Sequence, residues 1–188
     1  FHPEAERRTF QGFARPGGRA GTRNYVAVIS NVNCSNSVSR YVVERFRGEE
    51  FQKEYPGIDG VIALKTQGGC GVDPGGPMQI IRRTLGNMAR HPNISGYVMI
   101  GLGCEDNQIR GIRDDYDLDN LREGEIPPEF MTIQGTGGSL KTIEAAVKVV
   151  EKILPKVAGV KRTEQPLSKL VLAENCGGSD GNSGCTAN

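Results

Sequence analysis

Four of the five cysteines, Cys34, Cys70, Cys104 and Cys176, stand just past apolar, strand-like runs. Thiolates bind soft and borderline metals, iron and zinc among them, and thiols near helix N-termini ionise more readily. The runs cover residues 25–33, 60–69, 96–103 and 170–175. If they are parallel strands of one sheet, their carboxyl ends share an edge, where open α/β sheets place a ligand crevice. Lying 36, 34 and 72 residues apart, the thiols can meet only through the fold. Any single free cysteine is by default a packed core residue. The shared position after a strand, rather than within it, argues for a common site. No C-x2-C knuckle is present and the nearest pair, Cys176 and Cys185, is nine residues apart, which argues against structural zinc. The expectation is therefore that Cys34, Cys70 and Cys104 line one sheet edge.

The same loops are rich in glycine: 68–71 with 75–76, then 101–103, 135–138 and 177–178. Glycine lets backbone approach a ligand closely and turns N–H groups toward anionic oxygens. Gly69-Cys-Gly71 and Gly101-Leu-Gly103 lack a third glycine at the dinucleotide offset, which argues against nicotinamide or flavin. Glu105-Asp-Asn-Gln108 follows the third run directly. A carboxylate there could ligate a hard metal or move protons, and the two amides could bind hydroxyls. Helix capping is the competing role, more so for Asp106 than for Glu105. Asp180 sits in the terminal Gly-rich loop, where an Asx-turn is the simpler reading for its neighbour Ser179. Arg23 and Asn24 open the first run, at the opposite edge, and neither His2 nor His91 carries evident chemistry.

To position such a site the chain must repeat one unit. Strand candidates start near residues 25, 60, 96, 130 and 169, a period of about 35 residues, the size of a strand plus crossover helix. A helix is expected after Cys34, with Ser35 as N-cap and Val38, Tyr41, Val42 and Phe46 on one face. A second starts at Pro77, carries Met78, Ile81, Leu85 and Met88, and stops at Pro92. Residues 106–123 are charged and weakly periodic. The clearest helix follows Ser139, with Leu140, Ile143, Val147, Val150 and Leu154, ended by Pro155. Alternating strands and helices imply a three-layer α/β fold, a mainly parallel sheet with helices on both faces, in a Rossmann- or flavodoxin-like layout. Residues 1–22 read as a lead-in segment, 23–175 as the α/β domain, and 176–188 as the start of a Gly-rich loop leading into a further part.

The 188 residues carry 23 basic and 22 acidic side chains, well mixed, for a net charge of +1. No basic stripe argues for nucleic acid or a membrane surface, and no apolar run is long enough for a bilayer. Five cysteines without close regular spacing suit reduced thiols in the cytoplasm. An opening on Phe1-His-Pro and a last residue inside the most glycine-dense segment suggest a piece of a longer protein.

An ordered set of short motifs carries a resemblance. It comprises Gly21-Thr-Arg-Asn-Tyr25, Val32-Asn-Cys-Ser35, Gly69-Cys-Gly71, Arg82-Arg-Thr-Leu85, Ala89-Arg-His-Pro-Asn93 and Gly101-Leu-Gly-Cys-Glu105 with Asn107-Gln108. It continues through Thr132-Ile-Gln134, Gly137-Gly138, Cys176-Gly-Gly-Ser-Asp-Gly181 and Thr186-Ala-Asn188. From about Phe10 onward the chain resembles the altronate/galactarate dehydratase family, in the central portion of its long polypeptide. The resemblance implies a hydro-lyase that converts a hexonate or hexarate to a 2-keto-3-deoxy acid, with Fe2+ as the usual metal. Mn2+ and an iron–sulfur cluster are the alternatives. It implies a small sugar-acid substrate, and as partners further domains of the same protein or a small β-rich subunit; a homo-oligomer is compatible with it.

Carried over by position, Glu105 and Asp180 are the expected catalytic residues. Asn33, Gly71, Asn107, Gln108 and Gln134 are expected to bind substrate. Metal ligation by Cys34, Cys70, Cys104 and Cys176 is inferred from their expected convergence. The chain departs from the family pattern at three places. Lys65-Thr-Gln67 stands where a histidine is expected, Gly135 replaces an acidic residue, and Cys185 replaces an aliphatic one. Lys65 could serve as a base if desolvated, but its place near a strand end favours a solvated ammonium. The missing histidine keeps open a non-catalytic anion-binding or scaffold domain. Related lyases that expel another β leaving group, such as sulfite, are a further alternative. An isolated fragment is expected to be inactive.

Overall fold

A central strand that is buried on every side organises this chain. In the computed structural model, which describes residue 3 and residues 6–173, β3 (Tyr25–Ser30) has Val26, Ala27, Val28 and Ile29 fully buried. Such an unbroken run of small and β-branched residues suits a parallel strand covered on both faces. Numbering in chain order, the strands are β1 (Thr9–Ala14), β2 (Ala20–Gly21), β3, β4 (Gly60–Leu64), β5 (Ile94–Gly101), β6 (Glu129–Thr132) and β7 (Arg162–Pro166). The helices are α1 (Asn36–Glu44), α2 (Glu49–Glu54), α3 (Gly76–Ala89), α4 (Ile109–Tyr116), α5 (Ile133–Thr136) and α6 (Ser139–Ala158).

Four strands form a parallel sheet in the order β4-β3-β5-β6. Their starts agree with the runs expected at 25, 60, 96 and 130. Alternate residues of the central strands enter two separate cores. Val26, Val28, Val98 and Ile100 pack with α1 and α6, whereas Ala27, Ile29, Tyr97 and Met99 pack with α3 and α4. This is the α/β architecture that the strand–helix alternation implied. Leu154 of α6 is 1 % exposed within the first core. Leu154→Ala is expected to cost about 2–5 kcal/mol, read as a shift of the urea midpoint with unchanged slope.

Several local expectations need correction. Pro155 does not end α6, which runs on to Ala158. Pro155 removes one donor in the last turn, and both it and Glu151, whose carbonyl loses that partner, lie on the exposed side where water replaces the bond. Ser35 does not cap α1; its hydroxyl bonds back to the Val32 carbonyl at 2.8 Å, because residues 33–35 form a 3-10 turn. Leu140 is 77 % exposed rather than part of the stripe. No strand forms at residues 169–173: a 3-10 turn occupies Leu167–Lys169, and Leu170, Val171 and Leu172 are exposed. The chain after α6 instead makes β7, which pairs antiparallel with β1 from Thr9↔Pro166 to Phe13↔Arg162. With β2 they form a second, three-stranded sheet, so residues 9–21 contribute strands. Among the described residues no helix is long and apolar enough to cross a membrane.

Candidate functional site

The sheet order places the loops after β4, β3 and β5 side by side at the carboxyl edge. Cys34 lies in the 3-10 turn after β3, Cys70 between β4 and α3, and Cys104 just after β5; all three are free and exposed. The expected edge placement is therefore what the fold produces. Exposure of all three thiols also removes the default reading of packed core cysteines.

Main-chain hydrogen bonds stitch these loops together. The Asn33 N–H donates to the Gly68 carbonyl at 2.9 Å, the Asn107 N–H to the Gly69 carbonyl at 2.9 Å, and the Gln134 N–H to the Leu102 carbonyl at 2.9 Å. Gly71 N–H donates to Asp106 Oδ2 at 2.6 Å. Asn36, in the first turn of α1, donates to the Thr66 carbonyl at 2.7 Å and accepts from the Thr66 N–H at 3.3 Å. Thr66, where the family pattern led us to expect histidine, thus serves the loop, and Lys65 beside it is exposed. The backbone at Gly69 approaches the β3 loop closely at φ +107°: a Cβ there would sit 2.6 Å from the Asn31 carbonyl oxygen and 2.9 Å from Val32 Cα.

Behind the edge lies a buried polar network that connects the expected site residues. Glu105 is only 2 % exposed. Its Oε1 accepts from Asn31 Nδ2 at 2.8 Å and its Oε2 from the Gly103 N–H at 2.5 Å. Asn31, fully buried, also donates to the Asn107 carbonyl at 2.7 Å. Asn107 is fully buried too; its Nδ2 donates to the Asn31 carbonyl at 3.0 Å and its Oδ1 accepts from Arg82 Nε at 3.2 Å. Arg82 is held in turn by Asp115, 3.0 Å away. A buried carboxylate is tolerated because two donors satisfy it.

The remaining expected residues separate into exposed groups and loop ties. Asn33 is exposed and accepts a long contact from the Cys34 thiol at 3.5 Å. Gln134 Nε2 approaches Cys104 Sγ at 3.3 Å. Gln108 spends its amide N–H on the Glu105 carbonyl at 2.6 Å, closing the turn that leads into α4. Gly71, at φ +64°, has open space around it. Cys176 and Asp180 lie outside the described residues.

Sequence reasoning missed Asn31 and Arg82. Asn31 was hidden because it directly follows a strand and looks like part of a polar loop; the signal was a polar pair, Ser30-Asn31, enclosed between the apolar Ile29 and Val32.

Iron, Mn2+ or an iron–sulfur cluster needs several converging ligands. Among the described residues no three His, Cys, Asp or Glu side chains are grouped to hold a metal ion. The three thiols share an edge without forming a ligand set, so these residues alone do not fit such a group.

Residues 12–158 match the second domain of the D-galactarate dehydratase/altronate hydrolase family. The chain belongs to this family. It is 36% identical over 183 residues to the altronate dehydratase of Bacillus subtilis (strain 168), covering 97% of this chain and 35% of that protein. It is 35% identical over 193 residues to the galactarate dehydratase (L-threo-forming) of Escherichia coli (strain K12), covering 99% and 36%. The (2R)-sulfolactate sulfo-lyase subunit beta of Chromohalobacter salexigens is 28% identical over 185 residues, covering 98% and 42%. The chain therefore spans about a third of the length of the dehydratases it matches, and the family domain it carries is one part of a larger polypeptide in those relatives.

Proposed function

We propose that this chain forms one wall of the active site of a sugar-acid dehydratase acting on a hexonate or hexarate such as altronate or galactarate. The observation that carries this reading is the family match across the strands, helices and loops that build the thiol edge. In the reaction a base takes the proton α to the carboxylate, the C–O bond at the β carbon breaks, and the hydroxyl departs as water. The resulting enol then becomes the 2-keto-3-deoxy acid.

In this reading the exposed groups, Asn33, Cys34, Cys70, Cys104 and Gln134, face substrate. The space beside Gly71 leaves the backbone there accessible to substrate, while its N–H is held by Asp106. Glu105 and Asn107 act as positioning residues, since both are buried and their side-chain bonds hold neighbouring loops in register. The proton-transfer role falls to Asp180 or to a group outside this chain.

The test is an anaerobic assay of the full-length polypeptide with altronate, galactarate and sulfolactate, with ferrous iron present. Formation of 2-keto-3-deoxy acid is the expected result. Sulfite release from sulfolactate alone would move the protein to another leaving group. No turnover with any sugar acid, together with no metal by elemental analysis, would overturn the enzyme reading in favour of an anion-binding or scaffold domain.

A further inference from the structure

At the amino edge of the parallel sheet, remote from the thiol loops, lies a pocket of about 100 Å³. Three arginines from two segments line it: Arg15 and Arg19 from the β1–β2 turn, and Arg90 from the end of α3. All three are aimed by oxygens that carry no net charge. Arg15 donates to the Pro92 carbonyl at 2.7 Å, the Arg23 carbonyl at 3.0 Å and Asn24 Oδ1 at 3.1 Å. Arg19 donates to the Arg90 carbonyl, and Arg90 to the Asp117 carbonyl at 2.5 Å. Carbonyls fix the orientation of a cation but do not cancel its charge.

Counter-charge is scarce. Glu125 is the one carboxylate among the described lining residues. It is engaged by the Arg122 N–H at 3.0 Å. Arg122 itself packs over Gly17 and adds a further cation beside Arg19. Burial lowers the Arg15 pKa to about 10, and that of Arg19 is lowered first by burial and then by Arg122, with Glu125 acting in the opposite direction. In addition, Arg19 Nε is shut off from solvent without a hydrogen-bond partner. An anion entering the pocket would supply the missing negative charge and draw that guanidinium into a bonded arrangement.

The pocket, at about 100 Å³ and open to solvent on one side, has room for a compact tetrahedral oxyanion, which presents several oxygens to the arginines at once. We propose that this pocket binds a small, multiply charged oxyanion of the phosphate class, held by Arg15, Arg19 and Arg90. Such a ligand would bridge the β1–β2 turn, the end of α3 and the segment carrying Glu125, and so stabilise the folded state by mass action.

The experiment titrates the full-length polypeptide with inorganic phosphate at constant ionic strength, reading melting temperature and calorimetric heat. Expected is a saturable rise in melting temperature that sodium chloride does not reproduce. Arg19→Gln should weaken binding by about tenfold or more. Arg122→Gln changes an exposed side chain and should weaken binding by about two- to threefold without altering the unliganded melting temperature. Cys70→Ser, at the other edge, should bind as the parent does. Tighter binding of glycerol 3-phosphate than of phosphate identifies a phosphomonoester as the natural source, and the reverse order identifies free phosphate. The proposal is overturned by the absence of saturable binding up to about 10 mM phosphate, a weak but measurable range. Equal binding by the parent and Arg90→Gln, which removes one of the three proposed anion-holding groups, overturns it too, whether or not Arg19→Gln folds.

Discussion

Glu105→Ala is expected to destabilise the chain by about 3 kcal/mol, because a buried and a half-buried donor lose their acceptor at once. Asn31 Nδ2 would keep only the Asn107 carbonyl, and the Gly103 N–H would keep nothing. Glu105→Gln preserves volume and one acceptor but points an amide NH2 at a donor, so about 1–2 kcal/mol is expected. Urea denaturation measures both. Activity of the full-length polypeptide then separates positioning from proton transfer. A side chain that carries the proton loses about 10²–10⁴ in rate when its acid–base function is removed. Because Glu105 spends both oxygens on loop donors, Glu105→Gln is expected to lose less than about 10² and to keep the parent's pH profile. A fall beyond that range with unchanged stability would return Glu105 to the catalytic role that its place after Cys104 suggested.

The contrast between Glu105 and its neighbours shows where sequence patterns stop. The central strands β3 and β5 were legible because buried parallel strands must be apolar on both faces. The half-buried edge strands β4 and β6 were legible through the period of about 35 residues. The antiparallel sheet was not. β7 reads Arg-Thr-Glu-Gln-Pro, with only Gln165 buried, and its partner β1 lies far away in sequence. Such a pairing rests on main-chain hydrogen bonds, which leave little trace in residue type. Leu170-Val-Leu, by contrast, looks like a strand and remains exposed among the described residues. The thiol edge was legible because Cys34, Cys70 and Cys104 each follow a strand end within one short loop. Which polar residues face outward was not, since Glu105 and Asn107 alternate with the exposed Cys104, Asp106 and Gln108 along one short loop. Only the fold decides that every second side chain there turns inward to Asn31.

Gly69→Ala is expected to be the most damaging single-methyl change in the site loops. Two costs add. The φ of +107° is unfavourable for any residue with a Cβ, at about 1–3 kcal/mol. The new methyl would also lie 2.6 Å from the Asn31 carbonyl oxygen and 2.9 Å from Val32 Cα, and backbone atoms of a buried segment cannot move aside cheaply. Relief requires Gly69 to withdraw, which breaks its carbonyl's bond to the Asn107 N–H and loosens the loop carrying Cys104. A combined loss of about 3 kcal/mol or more is expected, with turnover falling in parallel. Gly71 provides the control two residues away. It also has positive φ, +64°, but a Cβ there meets nothing within 4 Å. Gly71→Ala should therefore cost only the left-handed backbone term, about 1–2 kcal/mol, and Gly71→Asn less. If Gly69→Ala and Gly71→Ala prove equally mild in urea denaturation, the close packing of the β4 loop against β3 is not what holds the thiol edge together. A large difference, with the Gly69 variant also losing turnover, shows that three loops from adjacent parallel strands act as one rigid platform. Its keystone is then a contact between main chains, one that no substitution of the cysteines would expose.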